Sequence, residues 1–219
     1  MPRTGGGEVA PDGSPVPVYL AIPAERGFGP VLDHLAAGAS VLDLGCGVGR
    51  LANALAARGH EVVGVDESQG MLAHLDDAVA AVEASIEELR LGRRFDAVVL
   101  ASHLVNVADP VQRRAFLDAV ARHLAVEGTA YIEHWSPDVI GGLADGDGPI
   151  GDVMVRFRVL AQRGRVFDAS VTYELDGRAW TQAFTAELLD ETQLDTELAA
   201  AGLRRRRRLD PKWLAARMG

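Results

Sequence analysis

The sequence predicts an α/β chain, a Rossmann-like, doubly wound and mostly parallel sheet with an antiparallel β insertion before the last helix. Three observations carry this reading. The apolar run 41–44 passes straight into Gly45-Cys46-Gly47-Val48-Gly49 and then into helix-forming residues. A second apolar run, Val62-Val63-Gly64-Val65, ends in Asp66, seventeen positions beyond Gly49. Apolar strands then alternate with amphipathic stretches as far as residue 133, the pattern of a parallel sheet covered on both faces, before glycine-bearing turns mark a run of hairpins.

In chain order, residues 1–16 are rich in glycine and proline, lack periodic apolar positions and read as a mobile segment or a flap that a ligand orders. The rest, 17–219, reads as one domain. Pro30 to Ala37 suits a short helix with proline in its first turn, and 40–44 the first strand. Val48 to Arg58 follows as a helix with Leu51, Ala52 and Leu55 on its sheet-facing side, stopped by Gly59. The second strand is 61–65, and Asp66, Glu67 and Ser68 mark the start of a helix running to about Leu75. Strands are expected at 79–84 and 95–101, a helix opened by Asp109-Pro110 over 109–124, and a fifth strand over 129–133 after a Glu127-Gly128 turn. Residues 138–151 read as loop. Strands at 152–160, 165–175 and 178–186 are joined by Arg163-Gly164 and Asp176-Gly177, the latter a strong hairpin signal, so 152–187 forms the insertion. A helix over 191–201 ends at Gly202, and 203–209 is a strand whose run Arg204 to Arg208 alternates between faces and guards a sheet edge from further pairing.

Glycine is a poor choice beside a packed strand unless something approaches the backbone closely, so the turn at 45–49 implies a ligand there. An acid closing the second strand takes two ribose hydroxyls in folds of this kind. The ligand is therefore a nucleoside. A dinucleotide site wants Gly-x-Gly-x-x-Gly, but here the spacing is Gly-x-Gly-x-Gly, with Arg50 where the third glycine would stand. Asp43 at the strand end would repel a pyrophosphate and suits an ammonium group. A ribose at one end and an aminoacyl group at the other describe S-adenosylmethionine.

VLDLGCGVGRLA and EVVGVDESQGML, followed by FDAVVLASHLVNV and LAVEGTAYIEHW, resemble the ordered motifs of class I S-adenosylmethionine-dependent methyltransferases of the small-molecule type, clearly over 17–135 and more loosely over the last thirty residues. The resemblance implies transfer of a methyl group to an oxygen or nitrogen of a small acceptor, of the kind met in natural-product biosynthesis. It implies cofactor contacts from Tyr19 in the N-terminal segment; Asp43, Gly45, Cys46 and Gly47 at the aminoacyl part; Asp66, Glu67, Ser68 and Met71 at the ribose and adenine; and Ala101, Ser102 and His103 beside the methionine half. Where the family commonly places an acid and an apolar residue around the adenine amino group, this chain has Ser85-Ile86. His134 and His103 are the candidate bases, and Trp135, Tyr173 and Trp180 the candidate acceptor-pocket walls. The insertion resembles β additions that wall a substrate pocket or join subunits.

Bulk properties bound the reading. A length of 219 residues with 48% hydrophobic content fits one domain with a sizeable core. The net charge of −9 disfavours a nucleic-acid partner, which requires an extended basic surface. The one cysteine, Cys46, excludes an intrachain disulfide and a cysteine-based metal cluster, and no metal is expected. Without an apolar stretch of membrane-spanning length or a signal-peptide core, the expectation is a cytoplasmic protein, monomer or homodimer, with no membrane contact. Two rivals stand beside the main reading: an S-adenosylmethionine-binding protein that is regulatory or repurposed and transfers no methyl group, and a nicotinamide-dependent oxidoreductase, which Arg50 and Asp43 disfavour.

Overall fold

The computed structural model describes residues 8–140 and 143–219. Its core is a seven-stranded sheet in the order β10-β11-β5-β4-β1-β2-β3. Strands β1 (Ser40–Leu44), β2 (Glu61–Asp66), β3 (Val79–Glu83), β4 (Phe95–Leu100) and β5 (Leu124–Glu133) run parallel, whereas β11 (Trp213–Met218) pairs antiparallel with β5 and β10 (Leu203–Arg208) antiparallel with β11. Helices α1 (Val16–Ala21), α2 (Gly29–Leu32), α3 (Arg50–Ala56), α4 (Gln69–Leu72), α5 (Pro110–His123), α6 (Pro137–Ile140) and α7 (Glu191–Ala200) complete the chain together with a second, antiparallel sheet. That sheet is β6 (Gly146–Ile150), β7 (Val153–Arg163), β8 (Val166–Leu175) and β9 (Arg178–Glu187) in sequence order.

Strand alternation divides the core. Leu42, Leu44, Val63, Val98, Leu100 and Ile132 face α5 and α7, where Phe116, Leu117, Val120, Leu194 and Leu198 cover them. Val41, Val62, Ala97, Val99 and Tyr131 face the other way, against Leu51, Leu55 and Trp213. Asp43 shares the parity of Val41. Its carboxyl therefore enters the apolar layer at the strand's exit, where only 2% of the residue remains exposed.

Several expectations need correction. The fifth strand starts at Leu124, directly off α5, so Glu127-Gly128 lies within the strand and is not a turn before it. The register jumps from Phe95↔Leu124 to Ala97↔Thr129, a bulge that brings Gly128 so close to β4 that an added Cβ would come within 3.0 Å of the Asp96 carbonyl oxygen. Residues 146–150, read as loop, form β6, which tolerates Gly148 and Pro149 because it is an edge strand, with Asp147 paired to Arg158. The strand β11 is absent from the sequence reading, although Trp213, Leu214, Ala215 and Ala216 are buried between β10 and β5. The N-terminal segment is anchored from residue 8 onward: Val9 bridges Pro15, Glu8 meets Arg178 at 2.5 Å, and Gln182 of β9 donates to the Asp12 carbonyl at 3.1 Å and to Ser14 Oγ at 3.2 Å. Residues 1–7 of that expected mobile segment lie outside the described residues.

The insertion is fastened to the core by polar groups. Asn106 donates to the carbonyls of Trp135 and Glu187 at 2.9 and 2.7 Å, and its own oxygen accepts from the Trp135 amide at 2.8 Å. Arg113, 2% exposed, donates to the Val105 and Val107 carbonyls and meets Glu187 at 2.6 Å and Glu197 at 3.2 Å. Such a buried cation stays because each of its three guanidinium nitrogens has a partner. Edge strand β10 is satisfied similarly, with Arg205 and Arg208 on Glu191 and Arg205 on Asp195 of α7 at 2.7 Å.

Gly49 caps α3 with φ +81°, and a Cβ there would run into Leu75 and come within 2.8 Å of Asn53 Oδ1, the atom that accepts from the Asp76 amide. Gly49→Ala is expected to lower unfolding free energy by about 1–3 kcal/mol in urea titration with an unchanged m-value. A change below about 0.5 kcal/mol would show that the turn tolerates a side chain.

Candidate functional site

Parallel strands leave their carboxyl ends on one rim, and a cleft in two lobes opens there. The larger lobe, a cavity of about 240 Å³, runs from Gly45 and Gly47 past Asp66 and Met71 to Ser85 and Ile86, and residues 10–12 and 14 of the N-terminal segment roof it. The smaller lobe, about 40 Å³, lies between Asp43, Arg50, Cys46 and Ala101. Tyr19, Gly45, Gly47 and Ser102 border both. Gly45 and Gly47 have φ of +71° and +57°, and a Cβ on Gly45 would come within 3.0 Å of Leu104.

Asp66 is oriented by the main chain. Gly47 N donates to Oδ2 and Ser68 N to Oδ1, each at 2.9 Å. Burial raises its pKa and these two amides oppose that rise. Asp43 has no such help: among the described residues no donor reaches it, and burial, with the charge of Asp66 second, pushes its carboxyl up to about 7. Across the same lobe, Arg50 donates from Nη2 to the Pro23 and Arg26 carbonyls at 3.0 and 2.9 Å, while its buried Nε has no partner. The Cys46 thiol is raised by burial, so it is a packed thiol, with its sulfur where a Gly64 Cβ would otherwise lie.

Other expected contacts take different positions. Ser68 is buried and its hydroxyl accepts from the Met71 amide at 3.3 Å as the cap of α4, so it does not border the cleft. Glu67 is on the exposed rim of the larger lobe. Ser85 Oγ accepts weakly from the Glu88 amide at 3.4 Å. His103 stacks on Trp135 with centroids 3.9 Å apart and meets Glu133 at 3.2 Å through Nε2. Burial holds its pKa well below the usual histidine range, with Lys212 and His134 adding to the effect. Tyr173 lies 6.4 Å from Tyr19, centroid to centroid. Trp180, half-buried, packs against Val18, Ile22 and Val153 under the guanidinium of Arg178, between α1 and the insertion, and lines neither lobe of the cleft.

His134 is the clearest correction. It is fully buried, donates from Nε2 to the Leu189 carbonyl at 2.8 Å and accepts at Nδ1 from Arg208 at 2.6 Å. Both nitrogens are committed, and burial, then Arg208, pull its pKa down to about 4. It cannot collect a proton from an acceptor in the cleft. It ties β5 to the approach of α7 and to β10.

Asp12 and, as a lining cation, Arg50 escaped the sequence reading, and so did Glu133, which lines neither lobe but accepts from the amide of Ser102, a residue that borders both. Glu133 carried a usable signal, since it closes a parallel strand as Asp66 does. Among the described residues no group of three or more His, Cys, Asp or Glu is disposed to hold a metal ion, and no helix is long and apolar enough to cross a membrane.

Residues 41–128 match the model of a methyltransferase domain. Over 106 residues, 46% of this chain, the sequence is 37% identical to a cypemycin N-terminal methyltransferase from Streptomyces sp., of which it covers 43%. The chain thus spans about half the length of the curated relatives it matches. Among solved structures, the sugar N-methyltransferase of Streptoalloteichus sp. is 24% identical with a TM-score of 0.72 over 100% of both chains. An amino pentose methyltransferase from Micromonospora echinaspora involved in calicheamicin biosynthesis, solved with S-adenosylmethionine bound, is 25% identical with a TM-score of 0.65 over 89% of this chain and 88% of that one. The fold expected from the sequence is the fold these proteins share.

His134→Ala is expected to cost about 2–4 kcal/mol in urea titration at pH 7, because it empties a packed site and strands the Leu189 carbonyl. A histidine held below its unfolded pKa binds fewer protons folded than unfolded between about pH 4 and 6.5, so stability from this group is complete above that window and is lost as pH falls through it. The variant should lack that part of the wild-type pH dependence. Equal stability of the two proteins at pH 7 would show that the buried bonds do not hold.

Proposed function

We propose that this chain is a class I S-adenosylmethionine-dependent methyltransferase that binds S-adenosylmethionine in the two-lobed cleft and directs its methyl group to an oxygen or nitrogen of a small-molecule acceptor. The observation that carries the reading is the pairing of Asp66 in one lobe with unpartnered Asp43 in the other, across the bare backbone of Gly45 to Gly47.

The residues suit that ligand end by end. Asp66 already has one lone pair of each oxygen on an amide, which aims the remaining pairs at the cleft and fits them to two ribose hydroxyls. Met71 and Ile86 offer apolar faces for a base, and Ser85 a polar edge. In the smaller lobe Asp43 would take the α-ammonium and the orphaned Arg50 Nε the α-carboxylate, so a zwitterion satisfies two groups that the fold leaves without partners. Cys46 and Gly47 would contribute main chain, and Tyr19 and Ala101 the walls.

When bound, the cofactor supplies an electrophilic methyl on a sulfonium, whose carbon–sulfur bond breaks with the electron pair going to sulfur as the bond to the acceptor forms. The protein's share is alignment and exclusion of water. Tyr19, roofed by the N-terminal segment and backed by Tyr173, closes one side of the junction between the lobes, and Ser102 with the His103–Trp135 stack closes the other. Trp135, Tyr173 and the aromatic residues Phe157 and Phe184 beside Phe167 give the neighbouring insertion face an apolar character that suits an acceptor body. The nitrogen acceptors named for the relatives from Streptomyces sp. and Streptoalloteichus sp. support an amine, with a hydroxyl as the other reading.

Calorimetry with S-adenosylhomocysteine should give saturable one-site binding, and Asp66→Asn should weaken it about tenfold through the lost charged bonds to ribose. No heat at millimolar ligand removes the reading. Asp43 is protonated in the free protein below about 7 and ionised above it, so affinity for a ligand bearing an ammonium must rise with pH. Between pH 6 and 8 the gain is expected to be about tenfold and to vanish in Asp43→Asn. An affinity flat across that range would deny Asp43 this role.

A further inference from the structure

Among the described residues, three non-glycine residues have left-handed backbone, and two of them are adjacent, Ser102 at φ +54° and His103 at φ +57°. The third, Asp176, occupies a two-residue hairpin turn that calls for this conformation. Nothing in the turn geometry after β4 demands it. Strain of this kind survives only where surrounding contacts over-determine it, and here those contacts converge on one group. Ser102 N donates to Glu133 Oε2 at 2.8 Å, and His103 Nε2 lies 3.2 Å from Glu133 Oε1 with its ring against that of Trp135, tilted by 33° at a centroid distance of 3.9 Å.

We propose that Glu133 is the catalytic residue that accepts the acceptor's proton, with Ser102 and His103 as the positioning residues that hold its carboxylate directly behind Ser102, which borders both lobes. The proposal rests on the methyltransferase reading above. Neither histidine competes for the role. His134 has both nitrogens bonded, and His103 spends Nε2 on Glu133 while its Nδ1 is buried without a partner. Neutral His103 donates through Nε2–H, so each Glu133 oxygen accepts one bond and keeps a lone pair for an incoming proton. The position is at the reacting end of the cleft, because Ser102, whose amide grips the carboxylate, borders both lobes.

The balance is simple. As the acceptor atom gains the methyl group, its N–H or O–H bond breaks, the electron pair stays on nitrogen or oxygen, and the proton moves to a Glu133 oxygen and later to water. The charged and titratable groups facing Glu133 are Arg50 from α3, Lys212 and Asp210 from the segment before β11, and His103. Lys212 and His134 face His103. Burial dominates over the Ser102 amide and the two cations and brings Glu133 up to about 7, which suits a group that must take and release protons near neutrality.

Sinefungin supplies a test that needs no acceptor, because a carbon bearing a primary ammonium replaces its sulfonium and methyl. Its affinity is compared with that of S-adenosylhomocysteine, which shares the amino-acid end, so any titration of Asp43 cancels in the ratio. At pH 8 sinefungin should bind wild type about tenfold more tightly than S-adenosylhomocysteine, with the advantage fading toward pH 6 as Glu133 takes a proton. Glu133→Gln should abolish the advantage while leaving S-adenosylhomocysteine affinity within about threefold. His103→Asn should move the midpoint of the profile to higher pH, because the ionised carboxylate loses a donor, an effect that a purely structural histidine would not produce. A wild-type ratio that does not change with pH overturns the proposal whether or not the variants fold, and so does an undiminished advantage in Glu133→Gln. Failure of S-adenosylhomocysteine to bind wild type would strike the cofactor reading itself.

Discussion

A carboxyl group in the apolar layer of the central sheet is the constraint around which the rest of the fold is arranged. Asp43 occupies a position whose parity assigns it to the core, beside Val99 of β4 and Gly64 of β2 in the pleat. Burying a carboxylate without a donor is costly enough that the free protein keeps the group partly protonated near neutrality. A fold selected for stability alone would place valine there. The acid makes sense as half of an ion pair whose other half arrives with a ligand, and the orphaned Nε of Arg50 across the same lobe is its complement in charge.

The surroundings hold that unfavourable group in place. Five parallel strands with apolar cover on both faces give the exits a rigid rim, and the glycines after β1 let a ligand approach main chain that no side chain shields. The antiparallel insertion is locked to the rim by Asn106 and Arg113, and the N-terminal segment is tied to the insertion by Glu8 and Gln182. Roof, wall and floor thus belong to one connected network. His134, with its bonds to Leu189 and Arg208, extends the same network to β10 and explains why a histidine beside the cleft has no free nitrogen to offer.

Local signals in the sequence read well wherever chemistry and periodicity agree. Strands β1 to β4, the helices capped by Ser68 and Asp109, and the Asp176-Gly177 hairpin were legible because glycine, proline and capping residues punctuate strong apolar runs. What could not be read depended on distant partners. Gly128 resembles a turn residue, and only the approach of β4 shows that its missing side chain makes room for a bulge. Pro149 discourages a strand assignment until β6 is seen to be an edge, and β11 follows the charged run of β10 with too few residues to stand out. In the site, Asp43 and Asp66 announced themselves by ending apolar strands beside glycine. Glu133 also ends an apolar strand, β5, but with no glycine beside it, and the neighbouring His134 drew the chemical role toward itself. Only the side-chain bonds separate the two.

The chemistry of the smaller lobe turns on whether the α-ammonium of a ligand is what Asp43 awaits. The direct measurement is calorimetric comparison, at pH 8, of S-adenosylhomocysteine with its analogue lacking only the α-amino group. Loss of a buried charge-assisted pair should weaken binding of the analogue by about a hundredfold in wild type, with the two ligands drawing level in Asp43→Asn. Equal affinity of the two ligands for the wild-type chain would contradict the account.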